Sequence, residues 1–472
     1  MNGILCHRMQ KGVRLMMFRL ELPEEVKSII ATLETDGFEA YAVGGCVRDA
    51  LLHREPNDWD ITTSAMPEDV KRLFRRTVDT GIEHGTVTVM IGNTGYEVTT
   101  YRIDGKYEDC RHPKEVTFTK SLREDLLRRD FTINAMAYND REGLVDLYHG
   151  TEDLREGIIR CVGNPTERFT EDALRVFRAV RFAAQLGFEI EPETKKAMEE
   201  LSGNLQKVSA ERIREELSKL LASEHPEELI TASECGLTAY WLPEFDRMLA
   251  TPQENVHHIY DVGRHTIAAL QAVHKTDEYR ALQEKERTIL NYSVLLHDCA
   301  KPAVKMYDEE GVAHFYQHQK SSAELAEEIL KRLKFDNETI DITKKLVRKH
   351  DVRFQLENNN VDSFVRKLMN GIGTENMPLL FAVQKADIAA QNPAYQEAGM
   401  TAVAKMREAY EGVLKREECV SLKTLAVKGS DLIALGYRPG PEFGEILNLL
   451  LDDVLENPLH NEREYLLSTL KH

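Results

Sequence analysis

The pattern of apolar residues changes partway along this chain, and that change limits the folds open to it. Residues 20 to about 150 alternate short helical patterns with β-rich runs, and 86–91, 96–101, 115–118 and 144–147 read as strands. From about residue 167 the strand signals nearly vanish, and amphipathic helical spacing takes over in 171–186, 193–201 and 210–221. The expectation is an α+β chain, with a compact α/β domain followed by an essentially all-α remainder. At 472 residues the chain exceeds one ordinary core, so three or four domains are expected. Gly157, Gly163 and Pro165 mark one boundary within 151–168, and two prolines with an apolar-to-polar shift mark another within 243–253.

Within the α/β part, Gly44-Gly45-Cys46-Val47-Arg48-Asp49 is followed by Asp58-Trp59-Asp60. Residues 40–43 read as a strand running into two glycines, where backbone N–H groups can approach a triphosphate closely. Arg48 is placed to clamp that phosphate. On a strand, the i, i+2 spacing puts Asp58 and Asp60 on one face and Trp59 on the other. Two oxygen ligands facing one way suit Mg²⁺, with substrate phosphates completing the octahedron. An acidic turn capping the helix that starts near Met66-Pro67-Glu68 is the bland alternative. The strand–GG–x–x–R–D context favours the metal-dependent nucleotidyl-transfer reading. Glu97, on a neighbouring strand, is a candidate third carboxylate, and equally a surface strand residue.

Two further segments join this element. Adjacent Arg128 and Arg129 precede Asp130-Phe131-Thr132-Ile133-Asn134-Ala135-Met136-Ala137, read as an apolar helix; one arginine can reach a triphosphate while the other is tied to a carboxylate. In Glu171-Asp172-Ala173-Leu174-Arg175-Val176-Phe177-Arg178-Ala179-Val180-Arg181-Phe182, a helix puts Asp172, Arg175, Arg178 and Arg181 along one winding polar ridge. Such spacing describes a solvated, salt-bridged face. It also describes a nucleobase reader, with one acceptor and several donors. Residues 104–113 are polar, lack apolar periodicity and are expected to form a mobile loop.

These three motifs, in this order, closely resemble the class II tRNA nucleotidyltransferases, the CCA-adding enzymes of the DNA polymerase β superfamily. The resemblance spans roughly residues 25 to 240. It implies a polymerase-β-like nucleotidyltransferase head at 23–150 after an N-terminal extension at 1–22, then an all-α neck at 151–245, an HD-like body at 246–400 and a tail at 401–472. It implies addition of C, C and A to the 3′ end of tRNA from CTP and ATP, without a nucleic-acid template. Asp58 and Asp60 would be catalytic and hold Mg²⁺, and Gly45, Arg48 and Arg129 would contact the nucleotide. Asp172 and Arg175 would pair with the base, while Arg178 and Arg181 complete the pocket. The loop at 104–113 matches the family's flexible loop, which favours full CCA addition or A addition. Closely similar motifs serve A-adding enzymes, and poly(A) polymerases are a third reading.

In the helical half, His265, His297-Asp298 and Asp387 give the H…HD…D pattern of the HD phosphohydrolase superfamily, with His314, His318 and His350-Asp351 as further candidate ligands. Imidazole with carboxylate suits a second divalent metal. A packed polar pair or a vestigial site is the alternative, and an HD hydrolase with a degenerate head is a rival for the whole chain. Residues 427–441 resemble the tail of the bacterial subfamily, expected at the tRNA elbow, and equally describe a helix–turn–helix connector.

Composition narrows the setting. The net charge of −18 argues against a general nucleic-acid coat, yet leaves room for a local basic groove. Seven cysteines at 6, 46, 110, 161, 235, 299 and 419 form no C-x-x-C pair and fit reduced thiols in the cytoplasm. No run is long enough to span a membrane, and residues 1–17 carry no targeting signal. Met16 and Met17 leave open a later natural start.

Overall fold

A computed structural model of the chain describes residues 19–104, 116–355 and 360–470. Two compact units are present, Met1–Val208 and Ser209–His472. In the first unit the strands are β1 (Ala40–Val43), β2 (Ile61–Thr63), β3 (Thr77–Gly81), β4 (Thr86–Ile91), β5 (Thr94–Thr100), β6 (Arg102–Asp104), β7 (Val116–Phe118), β8 (Met136–Asn139) and β9 (Gly143–Asp146), with a short parallel pair, β10 (Ile158–Ile159) and β11 (Glu189–Ile190), further along. Seven of them form one sheet in the order β3-β4-β5-β2-β1-β8-β9, and β6 pairs with β7 separately. Only β2 and β5 run parallel within the large sheet; its other pairings are antiparallel.

The central strand explains why this sheet sits where it does. β1 is buried on both faces, so alternation sorts its residues into two cores. Ala40 and Ala42 pack with Val26, Ile29 and Leu33 of the helix Glu24–Thr35, and with Ile61, Val98 and Met136. Tyr41 and Val43 join Tyr101, Leu126, Ala135 and Ala137 on the opposite side. Small alanines facing the helix permit its close approach. Full burial of each larger aliphatic side chain contributes about 1.5–3 kcal/mol.

Three local expectations change. The Asp58-Trp59-Asp60 run is irregular chain leading into β2 and lies outside the strand itself, although Val43 N donates to the Asp60 carbonyl at 3.0 Å. The segment after Arg129 is no helix: a short turn at Thr132–Asn134 leads into β8, because Met136 and Ala137 fill opposite faces of the sheet. The helix expected over 171–186 is two helices, Pro165–Glu171 and Leu174–Leu186, broken at Asp172 and Ala173. Asp172 takes extended backbone, φ −133° and ψ 105°, and its Oδ1 accepts from Leu174 N at 3.1 Å. An aspartate that caps the following turn ends the preceding helix.

Of the remaining strand expectations, 86–91 coincides with β4, while 96–101 and 144–147 fall largely on β5 and β9. Residue 115 and the loop expected over 104–113, apart from Asp104, lie outside the described residues.

Among the described residues the second unit is helical, apart from a two-stranded pair, Met306–Tyr307 with Ala313–His314. Residues 243–253 contain the helix Pro243–Leu249. A separate apolar cluster gathers Leu425, Val427, Leu432, Leu450, Leu451, Val454 and Leu466 near the C-terminal end. Residues 427–441 lie between and within the helices Gly429–Ala434 and Pro441–Glu456, as a connector would. Among the described residues no helix is long and apolar enough to cross a membrane.

Candidate functional site

In the first unit, β1 delivers the chain into a tight turn. Gly44 adopts φ +85°, a left-handed conformation that costs other residues roughly 1–2 kcal/mol. A Cβ there would lie 2.9 Å from Arg129 Nη1, so the glycine also makes room for that guanidinium. Gly45 then opens the helix Gly45–Leu51, which carries Arg48.

Asp58 is exposed and Asp60 half-buried, while Trp59 between them packs on the core. Ile61 pairs with Val98 in parallel register, so the same ladder carried one residue back sets Glu97 beside Asp60. Burial pushes the Asp60 carboxyl up to about 6, the Asp58 charge and more weakly Glu97 add to this, and Arg129 opposes it. A carboxylate disfavoured by its own neighbours gains most from a cation. The donor set of two neighbouring carboxylates, Asp58 and Asp60, therefore fits a hard divalent ion such as Mg²⁺.

The arginines are held by buried acids. Burial alone would raise the Asp125 carboxyl, but Arg128 and Arg129 outweigh it and hold it below the usual range. Asp125 Oδ1 accepts from Arg128 Nε at 3.0 Å and Nη2 at 2.8 Å, and Oδ2 accepts from Thr62 Oγ1 at 3.0 Å. Arg129 Nη2 stands 3.6 Å from Oδ2, so both adjacent arginines engage this one carboxylate. Asp130 is likewise kept ionised despite burial by Arg178 and then Arg175. It accepts from Arg178 Nη2 at 2.6 Å and Nε at 2.8 Å, and from Asn134 Nδ2 at 3.3 Å. Asn134 Oδ1 accepts from Arg48 Nη1 at 2.8 Å, and Asp49 holds the rest of that guanidinium. One chain of bonds thus links Arg48 to the helix Leu174–Leu186.

Phe182 is the hub of the arginine cluster. The guanidinium carbons of Arg181, Arg48 and Arg178 lie 3.7, 5.1 and 5.2 Å from its ring centre. Arg175 instead donates to Glu171 Oε2 at 2.6 Å and to the carbonyls of Arg128 at 2.8 Å and Arg168 at 3.2 Å. Asp172 is not on the same helix as the arginines, so the ridge begins at a capped joint. Asp125, Asp130, Asn134 and Phe182 were missed as site organisers by sequence reasoning, although three of them stand in or beside the Arg-Arg-Asp motif. Only their partners' positions reveal the role.

In the second unit, His265, His297 and Asp387 bring their ligand atoms within 4.8 Å of one another, and so do Asp298, His318 and His350. All six are buried. His265 lies on the helix Val262–His274 and Asp387 on Met377–Ala389, while His297 caps the end of Glu284–Leu296. His314 stands apart, bonded to Asp308 at 2.7 Å, and Asp351 accepts from Gln319 at 2.8 Å.

Comparison with known proteins agrees with this architecture. The family model of the poly A polymerase head domain matches residues 40–160, that of the probable RNA and SrmB-binding site of polymerase A matches 187–249, and that of the tRNA nucleotidyltransferase domain 2 matches 307–470. The CCA-adding enzyme of Leuconostoc mesenteroides is 54% identical over 204 residues, 43% of this chain and 51% of that protein. That alignment thus spans about half the length of the relative. The CCA-adding enzyme of Enterococcus faecalis is 36% identical over 454 residues, 95% of this chain and 97% of that protein. A crystal structure of the Bacillus stearothermophilus CCA-adding enzyme in complex with CTP superposes with a TM-score of 0.69 at 29% identity, covering 95% of this chain and 97% of that one. A polymerase-type nucleotidyltransferase head with a helical C-terminal part is the class of protein these features define. The chain belongs to the CCA-adding enzyme family.

Proposed function

We propose that this chain extends the 3′ end of tRNA by C, C and A, consuming CTP and ATP and releasing pyrophosphate. The observation that carries this is the Asp58–Asp60 pair beside the Gly44–Gly45 turn, with the Asp60 proton held up to about 6 where a cation would displace it. The relative solved with CTP supports the nucleotide. Asp58 and Asp60 hold Mg²⁺ in this reading. When bound, that ion lowers the pKa of the attacking 3′ hydroxyl and neutralises charge on the departing pyrophosphate. Gly45 N–H, Arg48 and Arg129 orient the triphosphate, and Asp172 with Arg175 reads the base edge. Arg178 and Arg181 complete the pocket, fixed by Asp130 and Phe182. One acceptor among several donors matches cytosine or adenine, because a base leaving buried groups unpaired is rejected at a cost of about 1–3 kcal/mol per group. Positioning and electrostatics do most of the work.

The working partition is a head at 23–150, a neck at 151–245, a body at 246–400 and a tRNA-binding tail at 401–472, acting in the cytoplasm. Phosphate contacts make tRNA binding salt-sensitive despite the acidic total. The test is incorporation into tRNA ending at the discriminator base, at C and at CC, with each nucleotide supplied singly. Stepwise C, C, then A, abolished by Asp58→Ala or Asp60→Ala with tRNA binding retained, is the expected result; normal incorporation by either variant refutes the assignment, and A addition alone narrows it to an A-adding enzyme. A second reading concerns the helical unit, where we propose one divalent ion held by His265, His297, Asp298 and Asp387, on the strength of their converging buried ligand atoms.

A further inference from the structure

The C-terminal apolar cluster has a core of its own. Among the described residues its members come from 419–470 alone, and no side chain of the body helix Val361–Ile372 belongs to it. That helix buries Val365, Leu368, Met369 and Ile372. It meets the tail through polar side chains instead.

Arg366 is the centre of this joint. Its side chain is 3% exposed, and each of its three nitrogens has a partner on the tail side. Nε donates to the Leu455 carbonyl at 2.8 Å and Nη2 to the Glu456 carbonyl at 3.0 Å, while Nη1 donates to Glu418 Oε2 at 2.7 Å. Leu455 and Glu456 end the helix Pro441–Glu456, where the last carbonyls have no partner within the helix and carry the negative end of its dipole. Glu418 immediately precedes Cys419, the first member of the cluster. One planar fork therefore grips the chain where it enters the tail and again where the tail's long helix stops.

Neighbouring groups reinforce the grip. Ser363 Oγ donates to the Glu456 carboxylate, and Lys367 pairs with it as well. Arg416 spans Glu418 and Asp362. Apolar contacts are non-directional and allow two surfaces to slide, whereas a rigid guanidinium on three acceptors defines an orientation. Burial of Arg366 with Glu418 strengthens their attraction and makes separating them costly. The direction of the tail from the helix Val361–Ile372 therefore depends chiefly on one side chain.

We propose that Arg366 is a positioning residue for tRNA: it fixes the angle at which the tail leaves the body, and with it the place where the tail meets the elbow of a bound tRNA. This rests on the reading of 401–472 as the tRNA-binding tail, and adds to it the residue that sets the tail's direction. A tRNA held at its elbow and at its 3′ end is a rigid ligand with two points of contact. The second contact gains from the first only if the two sites keep a fixed separation, because a swinging tail dilutes its effective concentration. Freeing the joint weakens tRNA binding and leaves the reacting atoms untouched.

The test measures CTP incorporation by the natural chain, Arg366→Gln and Arg366→Lys. Two acceptors are compared, a full-length tRNA lacking its terminal CCA and a minihelix of the acceptor and T arms, which has no elbow. The natural chain should show the lower KM for the tRNA. Arg366→Gln should raise that KM about 10- to 100-fold and leave kcat, KM for CTP and the minihelix KM unchanged. Arg366→Lys keeps the charge without the fork, so its rise should be smaller. Spin labels at Arg348→Cys and Leu449→Cys, both exposed, are placed in a chain with Cys6 and Cys110 changed to serine, the other five cysteines being buried. Pulsed electron paramagnetic resonance should find one narrow distance in the natural joint and a broad distribution in Arg366→Gln. Hydrogen exchange of the tail core should stay slow in the same variant, which shows that the tail is folded; if it does not, the lysine variant decides by the same measurements. A broadened distance with unchanged tRNA KM overturns the proposal, as does an unbroadened distance or an equal rise for both acceptors. A natural chain indifferent between tRNA and minihelix overturns the tail reading itself, whatever the variants do.

Discussion

Replacing Asp60 with asparagine should stabilise the nucleotidyltransferase head while destroying its chemistry. In the folded chain the carboxyl is held at about 6 by burial and by Asp58, against an ordinary value of 3.8. Ionising it is therefore harder in the folded state than in the unfolded state, and the sign follows from linkage. The folded state suffers no penalty below pH 4, loses stability as pH rises from about 4 to about 6, and keeps the full loss above that. At ~1.4 kcal/mol per tenfold change, the loss at pH 8 approaches 3 kcal/mol, and partial solvent access brings it to about 1–3 kcal/mol. The neutral amide of the Asp60→Asn variant carries no such penalty. The chain has two tryptophans, and Trp59 packs on the head core, so its fluorescence in a Trp241→Phe background reports unfolding of the head. Urea titrations with chelator present should find Asp60→Asn more stable at pH 8, with the gap narrowing toward pH 4. Millimolar Mg²⁺ should stabilise only the unsubstituted chain. A gap that is absent at pH 8, or independent of pH, would refute the electrostatic account of this site.

Other consequences are open to simpler measurement. With Mg²⁺ limiting, incorporation should rise with pH through an apparent value near 6, because a protonated Asp60 is a poor ligand, and the midpoint should move lower as Mg²⁺ is increased; a flat profile from pH 5 to 8 contradicts this. Asp130→Asn releases the charge-assisted grip on Arg178, worth ~1.5–3 kcal/mol, so KM for CTP should rise about 10- to 100-fold while filter binding of tRNA is unchanged. Gly44→Ala should cost roughly 1–2 kcal/mol of head stability and displace Arg129, lowering kcat/KM; thermal melts and steady-state kinetics with CTP read both effects.

The parts of this molecule visible in its sequence are those whose chemistry is written over short spacing. The glycine turn and the carboxylates two residues apart could be placed together because only the short helix Gly45–Leu51 and a few linking residues separate them. The helix over 171–186 looked continuous because apolar periodicity runs straight through Asp172, whereas a side-chain cap on Leu174 N breaks it. Met136 and Ala137 gave a helical impression for the opposite reason: a strand buried on both faces has no polar alternation to reveal it. Asp130 could be seen as part of a motif, but its grip on Arg178 spans 48 residues and depends on the folded helix. His318 and His350 stood out as spare ligands. Their convergence on Asp298 is a fact of three-dimensional placement alone.

The double burial of β1 sets a ruler for the active site. A slip of one residue along this strand would send Tyr41 and Val43 into space shaped for alanine and leave Ala40 and Ala42 in place of a ring and a branched chain. No intermediate setting exists, because side chains alternate in whole steps. The strand's end, the turn at Gly44 and the Asp60 carbonyl bonded to Val43 N therefore share one fixed origin. Errors in the core become errors of alignment at the carboxylates, so a conservative repacking of Ala42 or Ile61 should blunt catalysis before it unfolds the domain.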